Sequence, residues 1–402
     1  MSGVVIVGGG QAGSSMAAKL RNLGYEGAVT LICGEPVPPY QRPPLSKAYL
    51  LGEMAEERLY LRPESFYADQ NITLRLGKVV SEIDTASQSL VVDGETLTYD
   101  HLALTTGSVP NQLPAAVGGD LDGVYTVRSL ADVDRMEPEF REGARALVIG
   151  GGYIGLEAAA VATKLGVAVT VVEMAERILG RVASPETADA VRAVHLEHGV
   201  TIREGVGLKE LVGHDGRITG AVLSDGTEIE VDFAIVGTGI RPDVALAEAA
   251  GITCDNGIAV DEFGQTSTPT VWAAGDCACF PFRGVRMRLE SVQNAIDQAE
   301  AVAANMLGAN TAYDPKPWFW SDQYDLKLQI AGLNTGYDHV VTRTGEGSRS
   351  FWYYQGDKLL AVDALNAPRD YMVGKRLIEA GRSPDAGAIS NPDTDLKALL
   401  KA

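Results

Sequence analysis

The chain has 402 residues, is 46% hydrophobic and 22% charged, and carries a formal net charge of −19. This length provides two or three domains and an ample core, and the acidic balance argues against a nonspecific nucleic-acid or anionic-membrane binder. The longest apolar stretches are strand-sized, so no transmembrane helix is expected. The N-terminus runs straight into a strand without a signal-type segment, and a cytoplasmic protein is expected.

Val4-Val5-Ile6-Val7 is a β-branched run suited to a buried parallel strand. Gly8, Gly10 and Gly13 follow in the GxGxxG spacing, with Gln11 and Ala12 between them. Residues 14–23 read as a helix with Met16, Ala17, Leu20 and Leu23 on one face, ended by Gly24. A second strand is expected at residues 28–32, with Glu35 just past its end. In such a βαβ unit the first glycine makes the tight turn and the second admits a pyrophosphate. The third packs helix on strand, the helix N-terminus faces the phosphates, and the terminal acid accepts from a ribose diol.

Cys33, at the end of the second strand and before Glu35, reads as core, and the stretch PYQRPPLSKAYL that follows holds no cysteine, so a thiol relay is disfavoured. The other cysteines, Cys254, Cys277 and Cys279, form no CxxC pair and have no histidine nearby, so no metal site is expected.

The pattern recurs from residue 146. Ala146 to Ile149 is a strand and Gly150, Gly152 and Gly155 form the loop, with Tyr153 and Ile154 inside it. Residues 156–165 read as a helix, residues 167–172 as a strand, and Glu173 ends that strand about 20 residues beyond the loop. A carboxylate there favours the free 2′-hydroxyl of NADH over the 2′-phosphate of NADPH, although Arg177 and Arg181 are near. Two whole units predict two nucleotides held at once, a tightly bound FAD and an exchanging NADH. Residues 271–274 form a further short strand turning at Gly275-Asp276. Strands at 326–333, 339–344, 348–355 and 358–365 and a helix at 367–380 predict a small C-terminal α+β domain packed on the flavin domain.

With TSTPTVWAAGD at 266–276, Thr105-Thr106-Gly107 and Thr238-Gly239-Ile240-Arg241-Pro242, the sequence resembles the flavoprotein reductases with two dinucleotide-binding domains. The implied fold class is α/β: two Rossmann-like, glutathione reductase-like domains plus the C-terminal α+β domain. The implied boundaries are 1–112 with 244–322 for FAD, 113–243 for NAD and 323–402 for the C-terminal domain. PYQRPPLSK at 39–47, Arg128 in YTVRSL, Glu157 in GGGYIGLEAA, ESVQNA at 290–295 and Trp320 in PWFWSDQY narrow the likeness. They resemble the oxygenase-coupled, putidaredoxin reductase-like NADH:ferredoxin reductases along nearly the whole chain.

That resemblance assigns FAD to the first loop, through Gly8, Gly10, Gln11, Ala12, Gly13 and Glu35. It adds Thr106 and Gly107, Gly275, and Asp276 on the ribityl chain. It implies that Arg42, Pro44 and Lys47 line the flavin, that Val80 and Arg128 contact the adenosine side, that the Val292 region meets the pyrimidine edge, that Trp320 approaches the dimethylbenzene end, and that Glu290 also belongs to the FAD site. NADH goes to Gly150, Gly152, Tyr153, Ile154, Gly155, Glu157, Glu173 and Gly239. Lys47 near the flavin N5, paired with Glu157, is the implied catalytic couple. An ammonium there would stabilise negative charge on the reduced ring, and burying it requires a partner carboxylate.

The implied activity is FAD-dependent electron transfer from NADH to a 2Fe–2S ferredoxin that supplies a cytochrome P-450 or Rieske oxygenase. A rubredoxin reductase and an apoptosis-inducing-factor-like redox-switched scaffold are the alternatives. Arg283, Arg286 and Arg288, with Lys327, Arg369, Lys375 and Arg376, could meet an acidic ferredoxin. No feature argues for a strong self-interface, so a monomer is expected, without nucleic-acid or membrane partners.

Overall fold

The computed structural model describes residues 3–401. The chain divides into two compact units. The first comprises the residues up to Arg42, Met54–Val109 and Ile240–Lys316; the second comprises Pro43–Glu53, Pro110–Gly239 and the chain from Pro317 onward.

The first unit is built on a parallel five-stranded sheet. Its spatial order is Val271–Ala273, His101–Leu104, Val4–Val7, Val29–Ile32 and Ile72–Arg75. Val7 lies beside both Leu104 and Ile32, so the turn after it opens at the carboxyl end of the sheet where the strand order reverses. Val4–Val7 is buried along its whole length, as expected for an inner parallel strand. The helix Gln11–Asn22 starts before the expected residue 14, because Gly10 already serves as its N-cap. Its Met16, Ala17 and Leu20 pack with Ala299, Val302 and Met306 of the helix Val292–Met306 in one apolar core.

The second unit repeats the plan. Its parallel sheet runs Thr201–Glu204, Ala168–Glu173, Arg145–Ile149, Phe233–Val236 and Val124–Tyr125, with Ile149 beside Val172 and Val236. The helix Tyr153–Lys164 follows the central strand. An antiparallel sheet completes the unit in the order Trp318–Gln323, Leu326–Gly332, Lys358–Leu365, Ser348–Gln355 and His339–Gly345. The helix Pro368–Glu379 contributes Val373 and Leu377 to the core against Trp352 and Val362.

Three expectations change. The C-terminal sheet begins at Trp318 and not at residue 323, because Trp318–Gln323 pairs along its length with Leu326–Gly332. That sheet shares its core with the second glycine-loop domain. Leu326, Leu328, Phe351 and Tyr353 pack with Leu156, Ile178 and Val191, where packing on the flavin domain was expected. The segment Pro43–Glu53 also belongs to the second unit, held there by Lys47 on Glu157 and by Lys164 on Glu53.

Beside this shared core lies a fully buried carboxylate. Asp363 accepts hydrogen bonds from the hydroxyls of Tyr353 and Thr187 and faces no cation in this cluster, and burial pushes its pKa up to about 6. The folded state therefore holds a proton that the unfolded chain releases near pH 4. The group's contribution to stability is full below that value and is lost as pH rises through about 6. Asp363→Asn keeps an acceptor without the charge. At neutral pH it is expected to be stabilised by up to about 3 kcal/mol relative to wild type, a difference that vanishes toward pH 4. Paired thermal melts across that range test this; a variant that melts lower than wild type at neutral pH would refute it.

Candidate functional site

The first loop is shaped by steric exclusion. Gly8 has φ +118°, and a Cβ there would collide with the Thr105 carbonyl. A Cβ at Gly13 would collide with the carbonyl of Gly8. A Cβ at Gly10 meets nothing, so open space lies in front of the helix N-terminus, whose N-cap makes no side-chain cap. This cradle fits a pyrophosphate: the first-turn N–H groups lack intrahelical partners, and the helix dipole favours an anion. Ala12 is buried there, and Gln11 turns its amide to the Ser15 hydroxyl at 3.4 Å.

Gly275 and Asp276 follow the strand Val271–Ala273 of the same sheet. Gly275, φ +85°, donates its N–H to Gln298 at 2.8 Å and closely approaches Ala12. Asp276 then accepts from the Ser108 hydroxyl at 2.9 Å. Thr106 donates to the Asp243 carbonyl at 2.6 Å, and Gly107, φ +75°, accepts from the Asp243 N–H at 3.0 Å. Glu35 accepts from the Tyr40 hydroxyl at 2.5 Å and from Arg42 at 2.6 Å. The Arg42 guanidinium also lies over the Tyr40 ring, so the structure places Arg42 at the strand-end acid. Val80 is buried at the start of the strand Val80–Asp84. Glu290 pairs with Arg288 at 2.7 Å, and Val292 opens its helix behind the Ser291 cap.

In the second unit Gly150 has φ +106°, a Cβ there would collide with the Gly237 carbonyl and one at Gly155 with the Gly150 carbonyl, and Gly152 again faces open space. Glu173 accepts from the N–H groups of Gly151 and Ala175, both at 2.8 Å. Two fixed donors hold this acid with acceptor capacity to spare for a ribose diol. Arg177 is committed to the Gly180 and Ala183 carbonyls. Gly239, φ +99°, lies near Arg181. Ile154 is exposed, whereas Tyr153 packs on Phe319 with ring centroids 5.0 Å apart and its hydroxyl is buried without a hydrogen-bond partner.

Helical geometry breaks at Lys47 within Leu45–Tyr49, and the Pro44 carbonyl accepts from the N–H groups of Lys47 and Tyr49. The Lys47 Nζ lies 2.9 Å from Glu157 Oε2. Glu157 sits on the helix Tyr153–Lys164, 6% exposed. Its Oε1 accepts from the Ser321 hydroxyl at 2.7 Å, and Ser46 lies 3.4 Å from Oε2. Burial raises the Glu157 pKa, while the Lys47 charge and the Ser321 hydrogen bond oppose that rise. The pair holds an ammonium in a mostly dry setting, ready to stabilise negative charge developing on a bound group. Trp320 is half-buried beside Trp318, with centroids 5.4 Å apart. Arg128 precedes the capping box of Ser129 and Asp132.

Sequence reasoning missed Ser46, Ser321, Gln323 and His195. The available signal was weak: Ser321 and Gln323 occupy alternate positions of a strand, and His195 sits four residues after Val191 on the apolar face of its helix.

Several cations proposed for docking are already engaged. Arg286 donates to the Val260 and Cys279 carbonyls, Arg288 to the Asp276 carbonyl, Arg369 pairs with Asp395, and Lys375 with Glu379. Burial and the nearby Glu35 push the Cys33 thiol up to about 12, and burial raises Cys277. Both move away from a reactive thiolate. No cluster of metal-ligating side chains occurs among the described residues, and none of their helices is long and apolar enough to cross a membrane.

The chain matches the pyridine nucleotide-disulphide oxidoreductase family over residues 2–299 and the reductase C-terminal family over residues 318–400. It is 44% identical to the 5,5'-dehydrodivanillate O-demethylase ferredoxin reductase subunit of Sphingobium sp., covering 99% of this chain and 98% of that protein. It is 42% identical to rhodocoxin reductase of Rhodococcus erythropolis, covering 99% and 94%. The crystal structure of the covalent putidaredoxin reductase-putidaredoxin complex superposes with a TM-score of 0.96 at 39% identity, covering 100% of this chain and 98% of that one. With two intact dinucleotide cradles and likeness along its full length, the chain belongs to the putidaredoxin reductase-like ferredoxin reductases of the pyridine nucleotide-disulphide oxidoreductase family, which bind FAD and use NAD(P)H.

Proposed function

We propose that this protein carries electrons from NADH to a 2Fe–2S ferredoxin serving a cytochrome P-450 or Rieske oxygenase, and that it acts in the cytoplasm. The observation that carries this reading is the buried Lys47–Glu157 pair in a protein whose Cys33 and Cys277 thiols are pushed away from the thiolate form. Electron relay through a cysteine pair is disfavoured, and an ammonium is available in its place. The loop at Gly8–Gly13 holds the FAD pyrophosphate and the loop at Gly150–Gly155 that of NADH. Bound FAD supplies the conversion of a two-electron hydride donor into single electrons; the protein contributes orientation and electrostatics. Lys47 holds positive charge where the reduced cofactor becomes negative, and Glu157 keeps that ammonium in place.

The test is anaerobic mixing of the FAD-loaded protein with NADH or NADPH, followed by oxidised 2Fe–2S ferredoxin with cytochrome c as final acceptor. Fast bleaching by NADH and ferredoxin-dependent cytochrome c reduction are expected. Bleaching with no transfer to ferredoxin overturns the partner assignment, and rubredoxin added in its place tests the nearest alternative. Because Glu173 is fixed by two amides and Arg177 is committed elsewhere, kcat/KM for NADH should exceed that for NADPH by about ten-fold or more. Glu173→Gln should narrow the ratio; an unchanged ratio would show that another group sets the preference.

A further inference from the structure

A line of buried polar side chains runs through the second unit and ends on Glu157. The His195 Nε2 lies 2.7 Å from Gln323 Oε1. The Gln323 amide nitrogen donates to the Ser321 hydroxyl at 3.0 Å, and that hydroxyl donates to Glu157 at 2.7 Å. His195 and Ser321 are 0% exposed and Gln323 is 1% exposed. At the far end the Tyr324 hydroxyl lies 3.4 Å from His195 Nδ1, and the exposed His198 ring stacks on Tyr324 with centroids 3.7 Å apart.

The chemistry of each member sets one direction. The carboxylate of Glu157 only accepts, so Ser321 donates to it and must receive from Gln323. The Gln323 carbonyl then faces His195, whose Nε2 must therefore carry a proton, as it does in the neutral Nε2–H tautomer. Nδ1 is left to accept from Tyr324. Burial lowers the pKa of His195, in keeping with a neutral ring. Tyr324 adopts φ +57°, a conformation that favours glycine, so a bulky side chain is held there against a backbone preference. Buried polar chains are costly unless every member is satisfied, and this one is satisfied in a single sense that ends on the partner of Lys47.

We propose that His195 is a positioning residue which, through Gln323 and Ser321, fixes the Glu157 carboxylate and hence the Lys47 ammonium. The inference rests on the reading of Lys47 and Glu157 given above. Without the Nε2–H donor, Gln323 is free to reorient, Ser321 loses its fixed rotamer, and the Oε1 side of Glu157 loses its donor. Lys47 then follows the carboxylate away from its position.

The test uses the FAD-loaded protein with His195→Leu, which removes the donor, and His195→Gln, whose amide can place a donor near the imidazole Nε2. The first readout is independent of turnover: imidazole 15N chemical shifts should report His195 as the neutral Nε2–H tautomer. The second is stopped-flow. The limiting rate of reduction by NADH should fall about ten-fold in His195→Leu and return to within about three-fold of wild type in His195→Gln, with NADH affinity changed less than about two-fold in both. An Nδ1–H tautomer overturns the proposal, as does a wild-type rate in flavin-replete His195→Leu. Equal impairment of both variants in melting temperature and flavin content, with normal rates per bound flavin, assigns His195 a structural role and overturns it too. Lys47→Ala and Glu157→Gln are measured alongside. If they also reduce at the wild-type rate, the reading of the pair has failed; if they are slow while His195→Leu is fast, only the present inference has.

Discussion

Lys47→Ala is expected to slow reduction of the bound flavin by NADH by about a hundred-fold or more, with NADH affinity changed less than about three-fold. The ammonium lies 2.9 Å from a carboxylate that is 6% exposed. Removing one member of such a pair leaves the other charge buried without its counter-ion, which costs about 3–5 kcal/mol unless that group changes protonation. Glu157 has that escape. Burial already raises its pKa, and the Lys47 charge is the largest influence in the opposite direction. In the variant that opposition is removed, the carboxyl pKa rises further, and the site loses the ammonium charge. NADH binding, proposed to run through Gly152 and Glu173, is expected to be left intact. Stopped-flow reduction at saturating NADH measures the effect directly; a limiting rate within about three-fold of wild type would remove Lys47 from the chemistry.

Alanine at three loop glycines should separate the two nucleotides. In Gly13→Ala the new Cβ meets the Gly8 carbonyl, a backbone atom that moves only if the whole turn moves, and the protein is expected to lose FAD and stability together. In Gly155→Ala the collision is with the Gly150 carbonyl. That variant should purify yellow but require about ten- to hundred-fold more NADH, since overpacking of this kind costs about 1–3 kcal/mol. Gly10→Ala is the informative control. Its Cβ meets no protein atom, so apoprotein stability should be unchanged while FAD affinity falls, because on the proposed reading the pyrophosphate approaches through that open space. Flavin content, melting temperature and NADH titration distinguish the three. A flavin-replete Gly10→Ala with wild-type affinity would move the phosphate site elsewhere.

The glycine loops were legible because their constraints are local. A strand ending in Gly8 or Gly150 needs positive φ and no Cβ within a few residues, and GxGxxG records that need directly. The strand and helix after each loop follow from short-range periodicity, with ends shifted by a few residues where a cap intervened. Arg42 was legible only in part. The resemblance carried a flavin-lining role, which stands as a proposal, while its contacts with Glu35 and Tyr40 depend on how the chain turns after the strand.

By itself the sequence determined the two βαβ cradles, the acids Glu35 and Glu173 at their strand ends, and, through resemblance, the Lys47–Glu157 pair. The tertiary structure decided which neighbours those elements share. It joined the C-terminal sheet to the core of the second glycine-loop domain and drew Trp318–Gln323 into that sheet. It also set His195, Gln323 and Ser321 in line behind Glu157. The physical reason is range. Steric and periodic rules act over a few residues and are written in adjacent letters. Burial and hydrogen-bond satisfaction instead select partners far apart in the chain, and nothing local in Ser321 or His195 announces the group it will meet.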